Sequence, residues 1–219
     1  MPRARDTAKD YADLGLEPII SPVLQISPVT PPPTSPDSRA LLIFTSRNGV
    51  RAFAEACGER SNPVICVGAA TAELASSVGF VHVKSADGDA QDVVKLVLKS
   101  VPRAQPITHC CGQHVQGGIA EQLSEAGYKI ERVIYYEASP AARTDVDLKG
   151  VNYVALYSPR GALAFVDLFK TKRAAHLTTL SISAATDQEL EPLGLANRLI
   201  ADTPDQAAMI KALRSHFSD

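Results

Sequence analysis

Phe44-Thr45-Ser46-Arg47-Asn48-Gly49-Val50-Arg51-Ala52-Phe53 returns 112 residues later as Leu156-Tyr157-Ser158-Pro159-Arg160-Gly161-Ala162-Leu163-Ala164-Phe165. Each copy reads as the end of an apolar strand, a hydroxylated turn, and a helix with its apolar face at i, i+3, i+4. Further pairs extend the match. Val67-Gly68-Ala69-Ala70-Thr71-Ala72, running on to Gly79, resembles Ile182-Ser183-Ala184-Ala185-Thr186-Asp187 and Gly194 at an offset of 115. Gln91 before Val93–Leu98 matches Gln206 before Ala208–Leu213, and Glu125-Ala126-Gly127 matches Asp13-Leu14-Gly15. The last match lies near the N-terminus and the others near the C-terminus. One half of the chain is therefore discontinuous: its two ends together copy its middle.

Between these landmarks, short β-rich runs alternate with helical patterns. Strands are predicted at 40–45, 64–67, 81–83, 107–111 and 130–136, with helices over 48–57, 71–78, 91–101 and 115–126. Continuous apolar strands separated by short helices indicate an α/β protein with a parallel sheet covered on both faces. The repeat divides the chain into a lobe over 38–137 and a lobe built from 1–27 plus 147–219. Connections run over 28–37 and 138–146, and a cleft is expected between the lobes. The prolines of Ser27–Pro36 suit a semi-rigid polyproline spacer. Only five residues precede the first helix, so the discontinuous lobe is expected to lack the counterpart of strand 107–111. In a doubly wound sheet that strand is internal, and its loss leaves backbone groups unpaired.

The chain has 219 residues, with 24 acids against 22 bases, and a pI near 6.2. That balance argues against a general nucleic-acid binder. No apolar run approaches the roughly 18–20 residues of a membrane span, and no apolar segment follows Arg3 and Arg5 to make a signal peptide. Cys57, Cys66, Cys110 and Cys111 lack framework spacing and read as reduced thiols of a cytoplasmic protein. His109-Cys110-Cys111-Gly112-Gln113-His114 is no metal site by this reading, because adjacent strand residues point to opposite faces. No nucleotide loop and no nucleophile elbow is present. The five histidines show no catalytic spacing.

In parallel α/β sheets ligands bind beyond the carboxyl ends of the strands. The loops there are Thr45-Ser46-Arg47-Asn48-Gly49, Gly68-Ala69-Ala70-Thr71, Cys111-Gly112-Gln113-His114, Ser158-Pro159-Arg160-Gly161 and Ser183-Ala184-Ala185-Thr186. Small, hydroxylated loops let backbone N–H groups approach an anion. The plainer account is helix capping by Ser46, Thr71, Ser158 and Thr186, worth about 1 kcal/mol each. Tyr136, expected at the end of the last strand of the middle lobe, is placed to donate a proton or hydrogen bond, with Tyr135 facing the opposite side.

These motifs, in this order, resemble the uroporphyrinogen-III synthase family: Phe-Thr-Ser-Arg-Asn-Gly at 44–49, Val-Gly-x-x-Thr-Ala at 67–72, Val133-x-x-Tyr136-Glu137-Ala138, and Tyr157-Ser158-Pro159. The resemblance implies two flavodoxin-like (Rossmann-like) lobes joined by a two-stranded linker. It implies a cofactor-free, monomeric lyase of haem and porphyrin biosynthesis that cyclises hydroxymethylbilane, a linear tetrapyrrole with eight carboxylates, to uroporphyrinogen III. Tyr136 matches the family's tyrosine and becomes the candidate acid. Thr45, Ser46, Arg47, Asn48, Gly68, Ala69, Thr71, Gly112, Gln113, Ser158, Pro159, Arg160, Ala184 and Thr186 become candidate substrate contacts. The chain departs from the pattern at Gly112-Gln113, where many relatives have Gly-Arg, and at Ser183, where many have Gly. A non-catalytic, two-lobed binding or sensor module for an anionic small molecule is the alternative.

Overall fold

The computed structural model describes residues 2–115, 117–141, 146–169 and 175–218. Along the chain run α1 (Pro2–Ala12), β1 (Leu24–Pro28), β2 (Leu41–Phe44), α2 (Arg47–Ala56), β3 (Val64–Cys66), α3 (Ala69–Ser77), β4 (Val83–Ser85), α4 (Ala90–Ser100) and β5 (Ile107–Gly112). Then follow α5 (Ile119–Glu125), β6 (Ile130–Pro140), β7 (Tyr153–Leu156), α6 (Pro159–Phe169), β8 (Thr178–Ser181), α7 (Ala184–Gln188), β9 (Asn197–Ile200) and α8 (Gln206–Ser218). It is a mixed α/β fold with parallel sheets. The chain divides into two compact units, one from Met1–Gln25 with Pro140–Asp219 and the other from Ile26–Ser139. Both divisions fall inside neighbouring strands, β1 and β6, so the proline-rich stretch lies within the second unit. No helix among the described residues is long and apolar enough to cross a membrane.

The second unit is a sheet in the order β6-β5-β2-β3-β4, with β1 added beyond β6. The pairs β2–β3, β2–β5, β3–β4 and β5–β6 are all parallel. Leu42, Phe44, Val64 and Cys66 pack with Phe53 and Phe80 on one face. Leu41, Ile43, Ile65 and Ile107 pack with Val93, Val97, Ile119 and Leu123 on the other. Alternate residues of one strand thus enter two different cores, as the strand period of 2 requires. The order reverses between β2 and β5, and that switch point is where such sheets open a crevice at their carboxyl edge.

The first unit repeats the plan in a smaller sheet of three strands. Its sheet runs β7-β8-β9, parallel throughout, so among the described residues β7 is an edge. Its counterpart β2 lies inside the other sheet and is buried at every residue. In β7 only Leu156 is buried, while Tyr153, Val154 and Ala155 are half exposed. Residues 18–22, equivalent to the start of β6, form no strand, and Ile19 and Ile20 stand 66% and 42% exposed. Among the described residues no strand pairs with the free side of β7.

Hydrogen bonds follow the sequence repeat closely. Leu16 N–H reaches Tyr11 O and Gly15 N–H reaches Ala12 O; 112 residues on, Tyr128 N–H reaches Leu123 O and Gly127 N–H reaches Ser124 O. Both glycines take positive φ, +81° and +85°, the left-handed helix stop that glycine adopts without steric cost.

Two expected boundaries move. The strand expected at 81–83 forms at Val83–Ser85, in register with Val64–Cys66. The helix expected from 115 starts at Ile119, because Gly117 and Gly118 take φ of +93° and +57°.

Candidate functional site

At the switch point of the second unit, β2 hands the chain to α2 through Thr45 and Ser46. Ser46 is extended (φ −153°, ψ 153°) and its Oγ accepts from Gly49 N–H at 3.1 Å, capping α2. The same oxygen lies 3.0 Å from the Tyr136 hydroxyl. Gly49 lets α2 approach β5, since a Cβ there would stand 2.9 Å from the Cys110 carbonyl oxygen. Gly112 makes room for Tyr136: a Cβ on it would meet the phenol ring at 2.6 Å. Arg47 and Asn48 open α2, half-buried.

The expected opposition of Tyr135 and Tyr136 fails, and a bulge explains why. Cys111 pairs with Ile134 but Gly112 with Tyr136, so β6 carries one extra residue there. Such a bulge interrupts the alternation of side chains. Tyr135 is buried with Phe53 and Cys110, and Tyr136 packs against the same cluster. Burial pushes the Tyr135 phenol far up, beyond any physiological titration. Nor does Tyr136 end its strand, because β6 runs on to Pro140. Gln113 N–H donates to Tyr136 O at 3.0 Å, and Gln113 O accepts from Arg132 Nη2 at 2.8 Å. The Gln113 side chain is left exposed.

On the other face of β5 stands a residue that spacing arguments passed over. His109 is 2% exposed and pairs with Ile43 on one side and Arg132 on the other. Its Nε2 lies 3.5 Å from Thr45 Oγ1. Burial first, then the Arg132 charge, lowers its pKa to about 4, opposed in part by Glu121, so the ring is neutral at pH 7. The signal available in sequence was an ionisable residue inside a strand that is buried throughout.

The remaining loops divide between caps and buried positions. Ser158 Oγ accepts from Gly161 N–H at 3.0 Å, repeating the Ser46 cap. Pro159 and Arg160 then open α6, with Arg160 exposed. Gly68 precedes α3 without a side-chain cap, Ala69 is exposed, and Thr71 is buried inside the first turn. The cap of α7 is Ser183, whose Oγ accepts from Thr186 N–H at 3.3 Å. Ala184 is exposed and Thr186 fully buried, its hydroxyl 3.0 Å from Ser183 Oγ. Capping by Thr71 and Thr186 is therefore corrected to Gly68 and Ser183, three positions earlier. In the first unit sequence reasoning also missed a phenol chain. Tyr11 and Tyr157 hydroxyls are 2.6 Å apart, and Tyr157 donates to Gln206 Oε1 at 2.8 Å.

The fold and these loops define a parallel α/β protein whose polar groups gather at strand carboxyl ends. The family model for uroporphyrinogen-III synthase HemD matches residues 5–211, and the chain belongs to that family. No curated protein sequence matches it. Among solved structures it is similar to the uroporphyrinogen-III synthetase of Helicobacter pylori, with a TM-score of 0.65 at 18% identity over 89% of this chain and 91% of that one. It is also similar to a mutant uroporphyrinogen III synthase of Thermus thermophilus, with a TM-score of 0.51 at 16% identity over 100% and 96%. At such identities the structures show a shared fold.

Proposed function

We propose that this chain is a uroporphyrinogen-III synthase: a cytoplasmic, monomeric lyase that closes hydroxymethylbilane to uroporphyrinogen III with inversion of the last pyrrole and loss of water. In this reading the two units are flavodoxin-like (Rossmann-like) lobes, with 1–27 plus 147–219 forming one and 38–137 the other. Each lobe offers the substrate carboxylates its own carboxyl-end loops. The observation that carries the proposal is the Ser46–Tyr136–Gly112 constellation at a sheet switch point, in a chain of this family.

The chemistry needs a proton for the leaving hydroxyl, so that water departs and an azafulvenium cation remains. Attack by the substituted carbon of the last pyrrole gives a spiro intermediate, which fragments and recloses with that ring inverted. Tyr136 is the proton donor in this scheme. Ser46 Oγ already accepts from Gly49 N–H, so its own hydroxyl proton is available to the Tyr136 oxygen. That bond strengthens as the phenol gives up its proton, the kind of preorganised stabilisation that lowers a barrier. Amides at Gly68, Ala69, Gly112 and Ala184, with Thr45, Ser46, Arg47, Asn48, Gln113, Ser158, Pro159 and Arg160, form the remaining carboxylate contacts. Thr71 and Thr186 are buried and donate their backbone N–H groups within their own loops, so they shape those loops for the substrate.

The test supplies hydroxymethylbilane and resolves the products as type I and type III isomers. The proposal expects type III in excess. Type I alone, as ring closure without enzyme gives, rejects it and favours the binding-module reading. The edge position of β7 among the described residues is the specific observation behind that second reading.

A further inference from the structure

On the face of β5 away from Tyr136 is a cavity of about 210 Å³ lined by His109, Val115, Gly118, Ile119, Glu121 and Arg132, among others. It is smaller than the roughly 300–1,000 Å³ of pockets that enclose a whole drug-sized ligand. A single side arm of a larger molecule fits it better.

The groups around the cavity set its chemistry. Arg132 donates one N–H to Gln113 O, also reaches the Cys111 thiol and, among the described residues, forms no ion pair. Several of its five donors and its full charge are thus left for a ligand. His109 is buried at the inner wall, and the one hydrogen-bond contact its ring shows among the described residues is the long one to Thr45. A neutral imidazole that accepts at one nitrogen donates at the other. Glu121 also lines the cavity, so the formal charges around it balance, with Arg132 positive, Glu121 negative and His109 neutral. One strong cation and one neutral N–H donor are a carboxylate's partners.

We propose that this cavity binds a carboxylate arm of the substrate, with Arg132 pairing the charge and His109 donating the inner hydrogen bond. Naming the substrate as the source rests on the synthase reading; the preference for a carboxylate does not.

Propionate serves as the probe, titrated into the full-length protein while the ring signals of His109 are followed by NMR. Propylamine, a cation of the same length, is the control. A saturable shift with propionate, none with propylamine, and binding about tenfold weaker in Arg132→Gln support the proposal. Arg132→Lys should recover part of the loss. Arg132 is exposed, so this substitution leaves the core intact. The absence of a saturable shift, an equal response to propylamine, or undiminished binding in Arg132→Gln overturns it. In the isomer assay, Arg132→Gln should raise KM about tenfold with kcat nearly unchanged, the mark of lost binding. An unchanged KM rejects the substrate as the source. Propionate binding in a protein that makes no type III isomer rejects the synthase reading while the carboxylate site stands.

Discussion

The Tyr136 hydroxyl lies 3.0 Å from Ser46 Oγ, although the two residues are 90 positions apart in the chain. The bulge after Ile134 places the phenol over Gly112, and the α2 cap fixes the serine. Two demands meet in one serine, which ends the exposed backbone of a helix and steers a phenol.

If Tyr136 is the acid, Tyr136→Phe keeps the ring over Gly112 and removes only the proton. Its kcat for type III formation should fall about 100-fold, the low end of general acid catalysis. KM should change little. A variant turning over at the full rate would remove the assignment.

Gly112→Ala tests the same contact by volume. The added methyl would sit 2.6 Å from the phenol ring, and overpacking of this kind costs about 1–3 kcal/mol. Urea denaturation should show that loss. An unchanged midpoint would mean that Tyr136 moves aside freely, and activity should then still drop.

Gly49→Ala sets two effects against each other. Alanine gains about 1 kcal/mol over glycine in a helix interior, and less in the first turn where Gly49 stands. Here its Cβ would press on the Cys110 carbonyl at 2.9 Å, and backbone cannot swing away as a flexible side chain can. The steric cost should win, with a net loss of about 1–2 kcal/mol. A stabilised variant would show that α2 shifts outward at little cost.

His109 predicts a pH dependence. Its folded pKa, about 4, lies below the ordinary 6.5, so between those values the unfolded chain binds the extra proton. Stability is therefore complete above pH 6.5 and falls as the pH drops towards 4. At about 1.4 kcal/mol for each step of one in pH, the loss across that window reaches about 3 kcal/mol. Chemical denaturation at a series of pH values should show this slope, and His109→Gln should flatten it. An identical slope in the variant would assign the acid sensitivity to other groups.

Asp187 is 4% exposed and bonds Arg198 at 3.0 Å, with the Ser181 hydroxyl 3.5 Å away. Asp187→Ala strands a guanidinium that keeps some contact with water. About 3 kcal/mol of stability should go, the lower end for a broken buried pair. A thermal melt within a degree of the parent protein would show that Arg198 simply turns outward.

Periodicity and repetition made the α/β plan, the helix caps at Ser46 and Ser158, and the stops at Gly15 and Gly127 legible in the chain itself. These are local features: a strand period, a hydroxyl before a helix, a glycine where φ is positive. The site was legible only in part. Tyr136 and Gly112 drew notice separately, yet their contact depends on a bulge that no residue of 130–136 announces. Thr71 and Thr186 looked like caps because a hydroxyl near a helix start signals one; three residues decide whether it faces solvent or core. His109 and Arg132 stand 23 positions apart, and parallel register alone sets them side by side. Sequence determines what each segment becomes, since dihedral preferences and burial act over a few residues. Which polar groups share a site depends on pairing across the sheet, and that is fixed only when the whole core is packed.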